Sequence, residues 1–246
     1  MGPAAFAKLT WLELKLFVRE PMAVGFTLAY PVVVMFVIAG VFNSDHQGFR
    51  GASGAEYYVV SNIGVVLGAV GLIALPAHVA SYFERGIMRR FRASSMPVLA
   101  VILAQTLVCF VAAIAATAVL LLVARPAYVY DAPQSLPGVM LGFVVGLAAL
   151  LALGLLVAAL FPTASAAQGV GLILFFPMYL ISGAGPPLSV LPSAMQHVAD
   201  FNPLNYAVRA LQDPWFGHGI TGSNLVILAG LAVVSGAAAT WLFLRR

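Results

Sequence analysis

Charge is what this sequence lacks most. Of its 246 residues only 8% are Asp, Glu, Lys or Arg, against 62% hydrophobic, whereas a soluble domain carries about a quarter charged residues. With a mean hydropathy of +1.02, the chain has more apolar surface than a soluble fold could hide, so the bilayer is its solvent. Lysine is nearly absent. Lys8 and Lys15 are the only two, and neither stands in a Gly-x-x-x-x-Gly-Lys-Ser/Thr loop, which excludes the usual backbone cradle for ATP phosphates. Cysteine is limited to Cys109, inside an apolar run; it has no partner for an intrachain disulfide and reads as a small packed residue. There is no His-Glu-x-x-His, no Gly-x-Ser-x-Gly and no pair of intramembrane aspartates, and His46, His78, His197 and His218 are scattered. The sequence therefore offers neither a catalytic set nor a metal centre. The net charge of +4 is distributed by membrane side, as set out below, and is not read as a nucleic-acid surface.

What is present is long apolar runs. A helix needs about 20 apolar residues to cross a hydrocarbon core of about 30 Å. Six segments meet or approach that length: 22–42, 57–77, 98–123, 136–161, 166–183 and 224–244. None has an ionisable residue near its centre, where a charge would cost a few kcal/mol or more. The first run follows Lys8, Glu13, Lys15, Arg19 and Glu20 and extends to Phe42, too long for the apolar core of a cleaved signal, so a retained span is expected. Before it, Trp11, Leu14 and Val18 fall at helical spacing, which predicts an interfacial helix over 6–20.

Basic residues set the orientation. With six spans, one side carries Lys8, Lys15, Arg19, Arg85, Arg89, Arg90, Arg92, Arg245 and Arg246, and the other only Arg50, Arg125 and Arg209. Nine against three predicts both termini in the cytoplasm of a multi-pass protein of the cell membrane. Small residues at four-residue spacing, Gly138, Gly142 and Gly146 in the fourth segment and Gly64 and Gly68 in the second, let helices approach closely; plain packing within the subunit is the expected role.

Two stretches carry more information. Ser81 to Pro97 is the most charged part of the chain. Ser81 and Glu84 have capping-box spacing, and helical spacing puts Arg85, Arg89 and Arg92 on one face with Ile87 and Phe91 on another. On composition alone this is a membrane-surface helix. The stretch 186–214 is rich in proline and only moderately polar. It predicts two short helices, the second opened by Asn202 as N-cap and Pro203 in the first turn and ended by Asp213 and Pro214. Each is about 12–15 Å long, too short to span.

Phe83-Glu-Arg-Gly-Ile-Met-Arg-Arg-Phe-Arg92 resembles the coupling-helix motif of ABC-2 type permeases. Met178-Tyr-Leu-Ile-Ser-Gly-Ala-Gly-Pro-Pro-Leu-Ser-Val-Leu-Pro192, followed by Phe201-Asn-Pro-Leu-Asn-Tyr206, is similar to their C-terminal pattern, and Arg19-Glu-Pro21 to the start of their first span. Ile87 stands where many members have threonine, and Gly-Ala-Gly-Pro-Pro at 183–187 replaces a commonly aromatic segment. The resemblance is closest to permeases of the daunorubicin-resistance type. It implies an all-α membrane protein with six transmembrane helices, a cytoplasmic coupling helix at about 81–96 and an outer re-entrant hairpin at about 186–214. It further implies a non-catalytic permease, paired with a second permease chain, identical or paralogous, and with two copies of a cytoplasmic ATP-binding subunit that holds the ATP and Mg. Glu84, Arg85, Gly86, Met88, Arg89, Arg90 and Phe91 would meet that subunit. Pro186, Pro187, Pro192, Asn202, Pro203 and Tyr206 would form the re-entrant gate, and Asn62, Phe175, Phe176 and Tyr179 could line the substrate path. The expected cargo is an amphipathic small molecule or drug, with a lipid or lipid-linked polysaccharide as the alternative. An ion-coupled secondary transporter is the rival from another class, although such proteins place ionisable groups at mid-membrane.

Overall fold

The computed structural model describes residues 2–19, 21–41, 49–93 and 97–245, and all regular structure among them is helical. In chain order the α-helices are α1 (Pro3–Val18), α2 (Pro21–Val41), α3 (Gly54–Ala69), α4 (Leu75–Glu84), α5 (Ile87–Ala93), α6 (Val98–Ala124), α7 (Leu136–Leu160), α8 (Ala164–Leu180), α9 (Ser193–Ala199), α10 (Pro203–Trp215) and α11 (Gly222–Arg245). Glu20, Phe42, His46 and Arg246, which entered the sequence reading, lie outside the described residues.

Among the described residues, four helical stretches are long and apolar enough to cross a membrane: Gly54–Glu84, Val98–Ala124, Leu136–Leu160 and Gly222–Arg245. Thr27–Gly40 within α2 and Ala164–Leu180 are shorter apolar helices; at 1.5 Å per residue, α8 is about 26 Å long.

The rod Gly54–Glu84 is the centre of the bundle. Its most apolar window is 72% buried, against 17% for that of α11, and every residue from Tyr57 to Gly68 is buried. α11 lies along α7, α10 packs into α7 and α3, and α8 rests on α4. The glycines of α7 seat α10: a Cβ at Gly138 would meet Pro214, one at Gly142 the Ala210 carbonyl and one at Gly146 the Ala207 side chain. Their role is packing within the subunit.

The rod is not uniform. Pro76 has no N–H and its ring collides with the carbonyl four residues earlier, that of Leu72. The helix widens into a π-turn at Val70–Ala74, closed by the Leu75 N–H on the Val70 carbonyl. The Gly71 and Leu72 carbonyls turn outward against Gly154 of α7 and Gly171 of α8, so closely that a Cβ on either glycine would overlap the carbonyl oxygen. Two neighbouring helices are thus seated on backbone atoms of the rod.

The charged stretch differs from its predicted form. Ser81 does not open a helix. It lies inside α4, where its hydroxyl donates to the His78 carbonyl at 2.7 Å. The break comes later, at Arg85 and Gly86, with Gly86 at φ +68, a conformation that costs glycine little. The cytoplasmic helix expected over 81–96 is therefore the end of α4, a turn and the short α5; residues 94–96 lie outside the described set. The second helix of the 186–214 stretch does open with Asn202 accepting from the Leu204 N–H at 3.0 Å, but it runs through Asp213 and Pro214 to Trp215.

Candidate functional site

A cleft of about 460 Å³ lies between α2, the π-turn and α4, and α8. Thr27 and Tyr30 come from α2, Ala69 to Ser81 from the rod, and Gln168, Leu172, Phe175 and Phe176 from α8. Most of the wall is apolar. Thr27 on α2 is polar, and His78, Ser81, Gln168 and Arg85 gather toward the Glu84–Gly86 turn, whereas Tyr30 and Phe175, 6.5 Å apart edge to face, mark the other end. The space is amphipathic along its length. α8 touches the bundle along one stripe, with Ala167, Gly171, Phe175 and Tyr179 buried at successive turns.

Of the residues expected on a substrate path, Phe175 and Phe176 line this cleft. Tyr179 stacks on Phe175 at 6.2 Å but stands behind it. Asn62 is fully buried, donates to the Tyr58 carbonyl at 2.8 Å and is not in the cleft wall.

The expected coupling residues divide into groups. The Glu84 carboxylate accepts the Ala164 N–H at 2.9 Å. It thereby caps the N-terminus of α8, where an orphan donor and the positive end of the helix dipole favour an anion. Arg85, its neighbour, turns into the mouth of the cleft. Arg89 and Arg90 are exposed and Met88 is buried. Ile87 and Phe91 face α1 across a groove shared with Leu9, Leu12, Leu16 and Tyr82. α1 is tied to the same region from its polar side: Tyr82 donates to the Glu13 carboxylate at 2.7 Å. Burial raises the Glu13 pKa above its ordinary value, and the Tyr82 hydrogen bond opposes the shift. Trp11 and Val18, by contrast, are exposed.

A sequence profile of the ABC-2 type transporter family matches residues 4–216. The chain belongs to that family. No curated protein matches it in sequence. An ABC-2 membrane domain is a transport domain, so the cleft and the Glu84–Ala93 region are those of an ABC transporter permease. Such permeases typically work with an ATP-binding subunit, and the apolar helices fit a membrane protein.

In this ABC-2 chain the expected gate residues form a stitched corner. Asn202 donates from its amide to the Met178 carbonyl at 2.7 Å, tying the start of α10 to the end of α8. Tyr206 donates from its hydroxyl to the Asp200 carbonyl. Pro187 is buried and Pro186 and Pro203 partly so, while Pro192 is exposed with α9. Sequence reasoning missed a polar cluster at this end. Arg50, held at φ +57, forms an ion pair with Asp213 at 2.6 Å and donates to Gln212 at 3.2 Å. Thr221 and Asn224 complete the carboxylate's shell. A signal was available. Asn205, Arg209, Gln212 and Asp213 stand at i, i+4, i+7 and i+8, a polar stripe in an apolar stretch.

Proposed function

We propose that the chain is the transmembrane permease subunit of an ATP-driven exporter that moves an amphipathic small molecule or drug out of the cell, as in daunorubicin-resistance-type permeases. The cleft carries this reading. It is apolar at the Tyr30–Phe175 end and polar at the Arg85 mouth, and it is walled by a helix whose N-terminus is held by the Glu84 turn. All six apolar segments cross the cell membrane with both termini cytoplasmic, the nine-to-three distribution of basic residues being the support. α9 and α10 enter the outer leaflet as a re-entrant pair. Non-helical backbone at that depth has to be covered by protein or line a wet cavity; the support is that α10 packs against α7 and α3 and that its start is tied to the Met178 carbonyl by Asn202.

Two such permease chains, identical or paralogous, assemble with two copies of the ATP-binding subunit. α5, with exposed Arg89 and Arg90, docks on that subunit. Glu84 transmits its movement to α8 and so to the cleft wall. ATP-driven closure of the partner dimer is the input and rocking of α8 the output, a two-state switch biased by nucleotide. This chain contributes no catalysis; ATP and Mg bind the partner.

The test is vanadate-sensitive ATP hydrolysis by the chain co-purified with its ATP-binding subunit in lipid, measured with a panel of amphipathic drugs and lipid-linked sugars. Stimulation by a drug supports the reading. Stimulation only by a glycolipid keeps the machinery and replaces the cargo. If no ATPase associates and transport instead follows a proton gradient, the exporter reading fails in favour of a secondary transporter.

A further inference from the structure

At the Gly54 end of the rod, opposite the cleft mouth, lies a second cavity of about 500 Å³ with polar walls. α10 turns Asn205, Arg209, Gln212 and Asp213 toward it, joined by Arg50, Tyr57, Ser189 and His218. A buried polar group costs free energy unless it is paired, and most of these are. Gln212 donates to Ser61 at 2.7 Å and accepts from Arg50. Asp213 is surrounded by Arg50, Thr221 and Asn224. Tyr57 donates to the Gly183 carbonyl at 2.8 Å. The Asn205 amide donates to the Ala199 carbonyl at 2.9 Å.

Among the described residues, two groups on this wall remain without a partner. The Asn205 side-chain oxygen is buried with no hydrogen bond, in a residue 0% exposed. Arg209, one turn further along α10, is half-buried, and among the described residues its guanidinium makes no ion pair; the one carboxylate in the wall, Asp213, is paired with Arg50. Arg50 and Arg209 against Asp213 leave the wall one positive charge in excess. No group of three metal-ligating side chains forms among the described residues, and a cation would meet net repulsion. The unpaired donors and the unpaired acceptor together ask for a ligand that is anionic and also donates a hydrogen bond.

We propose that this cavity binds a phosphate ester bearing a free hydroxyl, of glycerophosphate size. The Arg209 guanidinium takes two phosphate oxygens in its fork, the geometry in which arginine excels. Arg50 uses two of its five N–H groups on Asp213 and Gln212 and has others left for the same phosphate. The Asn205 oxygen accepts from the hydroxyl. The ester can reach this end of the protein as the headgroup of an anionic lipid or as a soluble polyol phosphate. The proposal is independent of what the cleft transports.

The experiment uses the full chain in neutral detergent, titrated with short-chain phosphatidylglycerol, with glycerol 3-phosphate and with short-chain phosphatidylcholine, binding being read by calorimetry. Wild type is expected to bind phosphatidylglycerol, and Arg209→Gln to bind it at least about 10-fold more weakly, as befits loss of a charge-assisted hydrogen bond. Arg209→Lys should recover part of the loss. An unchanged melting temperature of Arg209→Gln shows that the fold is intact. Equal binding of glycerol 3-phosphate identifies a soluble ligand; a requirement for the acyl chains identifies a lipid; either supports the site. Undiminished phosphatidylglycerol binding by Arg209→Gln, binding of phosphatidylcholine as tight as phosphatidylglycerol, or no binding of either phosphate by wild type overturns it.

Discussion

Gly171→Ala adds one methyl group to α8, and its cost can be worked from the structure. The new Cβ would overlap the Leu72 carbonyl oxygen, with the Leu72 carbonyl carbon 2.9 Å away. Both are backbone atoms in a buried π-turn, so no rotamer change relieves the overlap and α8 has to shift off the rod. Overpacking of this kind costs about 1–3 kcal/mol, and the backbone contact places it at the upper end. Replacing glycine by alanine inside a helix returns up to about 1 kcal/mol. The net loss is about 2 kcal/mol, which for a chain of this size lowers the melting temperature by about 4–8 °C. Gly169→Ala is the control on the same helix, because nothing lies within 4 Å of its Cβ; only the helix-propensity gain applies, and its melting temperature should hold or rise slightly. Pro76→Ala supplies a second arm. It lets the rod rewind toward a regular α-helix and draw the Leu72 carbonyl back, so the cost of Gly171→Ala should be smaller in that background, a coupling between sites in contact. The assay is thermal unfolding of purified protein in one detergent. If Gly171→Ala melts like Gly169→Ala, or if its cost is the same with and without Pro76, the account of the π-turn as the seat of α8 is wrong.

Three further outcomes follow from the polar contacts. Glu84→Gln keeps the shape of the α8 cap and removes its charge, so it should lower stability by only about 0.5–1 kcal/mol while ATP hydrolysis by the assembled transporter loses its response to substrate; an unchanged substrate response in ATPase assays would remove Glu84 from the transmission path. Because burial raises the Glu13 pKa in the folded chain, its contribution to stability is full below the unfolded value, near 4.5, and is lost as pH rises through the raised folded value. Wild type should therefore lose stability relative to Glu13→Gln as pH is raised from about 4 to about 7, and parallel melting curves across that range would contradict the burial argument. At the opposite end, Arg50→Ala strands the Asp213 carboxylate, whose side chain is 5% exposed, and should cost about 3 kcal/mol in thermal unfolding; Asp213→Asn leaves only a guanidinium that is 35% exposed and should cost clearly less, the reverse order counting against a buried acceptor shell.

The sequence made the apolar helices legible because each is long relative to anything else apolar runs can form, and their spacing needed no tertiary information. The Asn202–Pro203 helix start was legible for the same reason, since an N-cap and its first-turn proline act within three residues. What could not be read locally was the choice of partner for each polar group. Ser81 and Glu84 have the spacing of a reciprocal cap, and that spacing was the basis for expecting a helix to start there. Both side chains satisfy backbone groups, but different ones: Ser81 bonds back into the helix it already belongs to, and Glu84 bonds across to Ala164, 80 residues away. The bundle decides this by bringing within reach the Ala164 N–H, which the Thr163 cap of α8 leaves without an acceptor. Likewise Arg50 and Arg209 entered the sequence reading only as charges on a membrane side and Asp213 only as a helix end, because the pairing of Arg50 with Asp213 spans 163 residues.

The π-turn shows how a local cause acquires a distant effect. Pro76 alone predicts a kink, one of several ways a helix can absorb a missing donor. Which way is chosen depends on what can receive the displaced carbonyls. Gly154 and Gly171, 78 and 95 positions along the chain from Pro76, present only Cα hydrogens, so the carbonyls can turn outward and approach as weak C–H···O acceptors. A side chain at either position would force the rod to kink elsewhere. The proline and the two glycines are therefore one structural unit, and the cleft, bounded by the π-turn on one side and α8 on the other, takes its width from that unit.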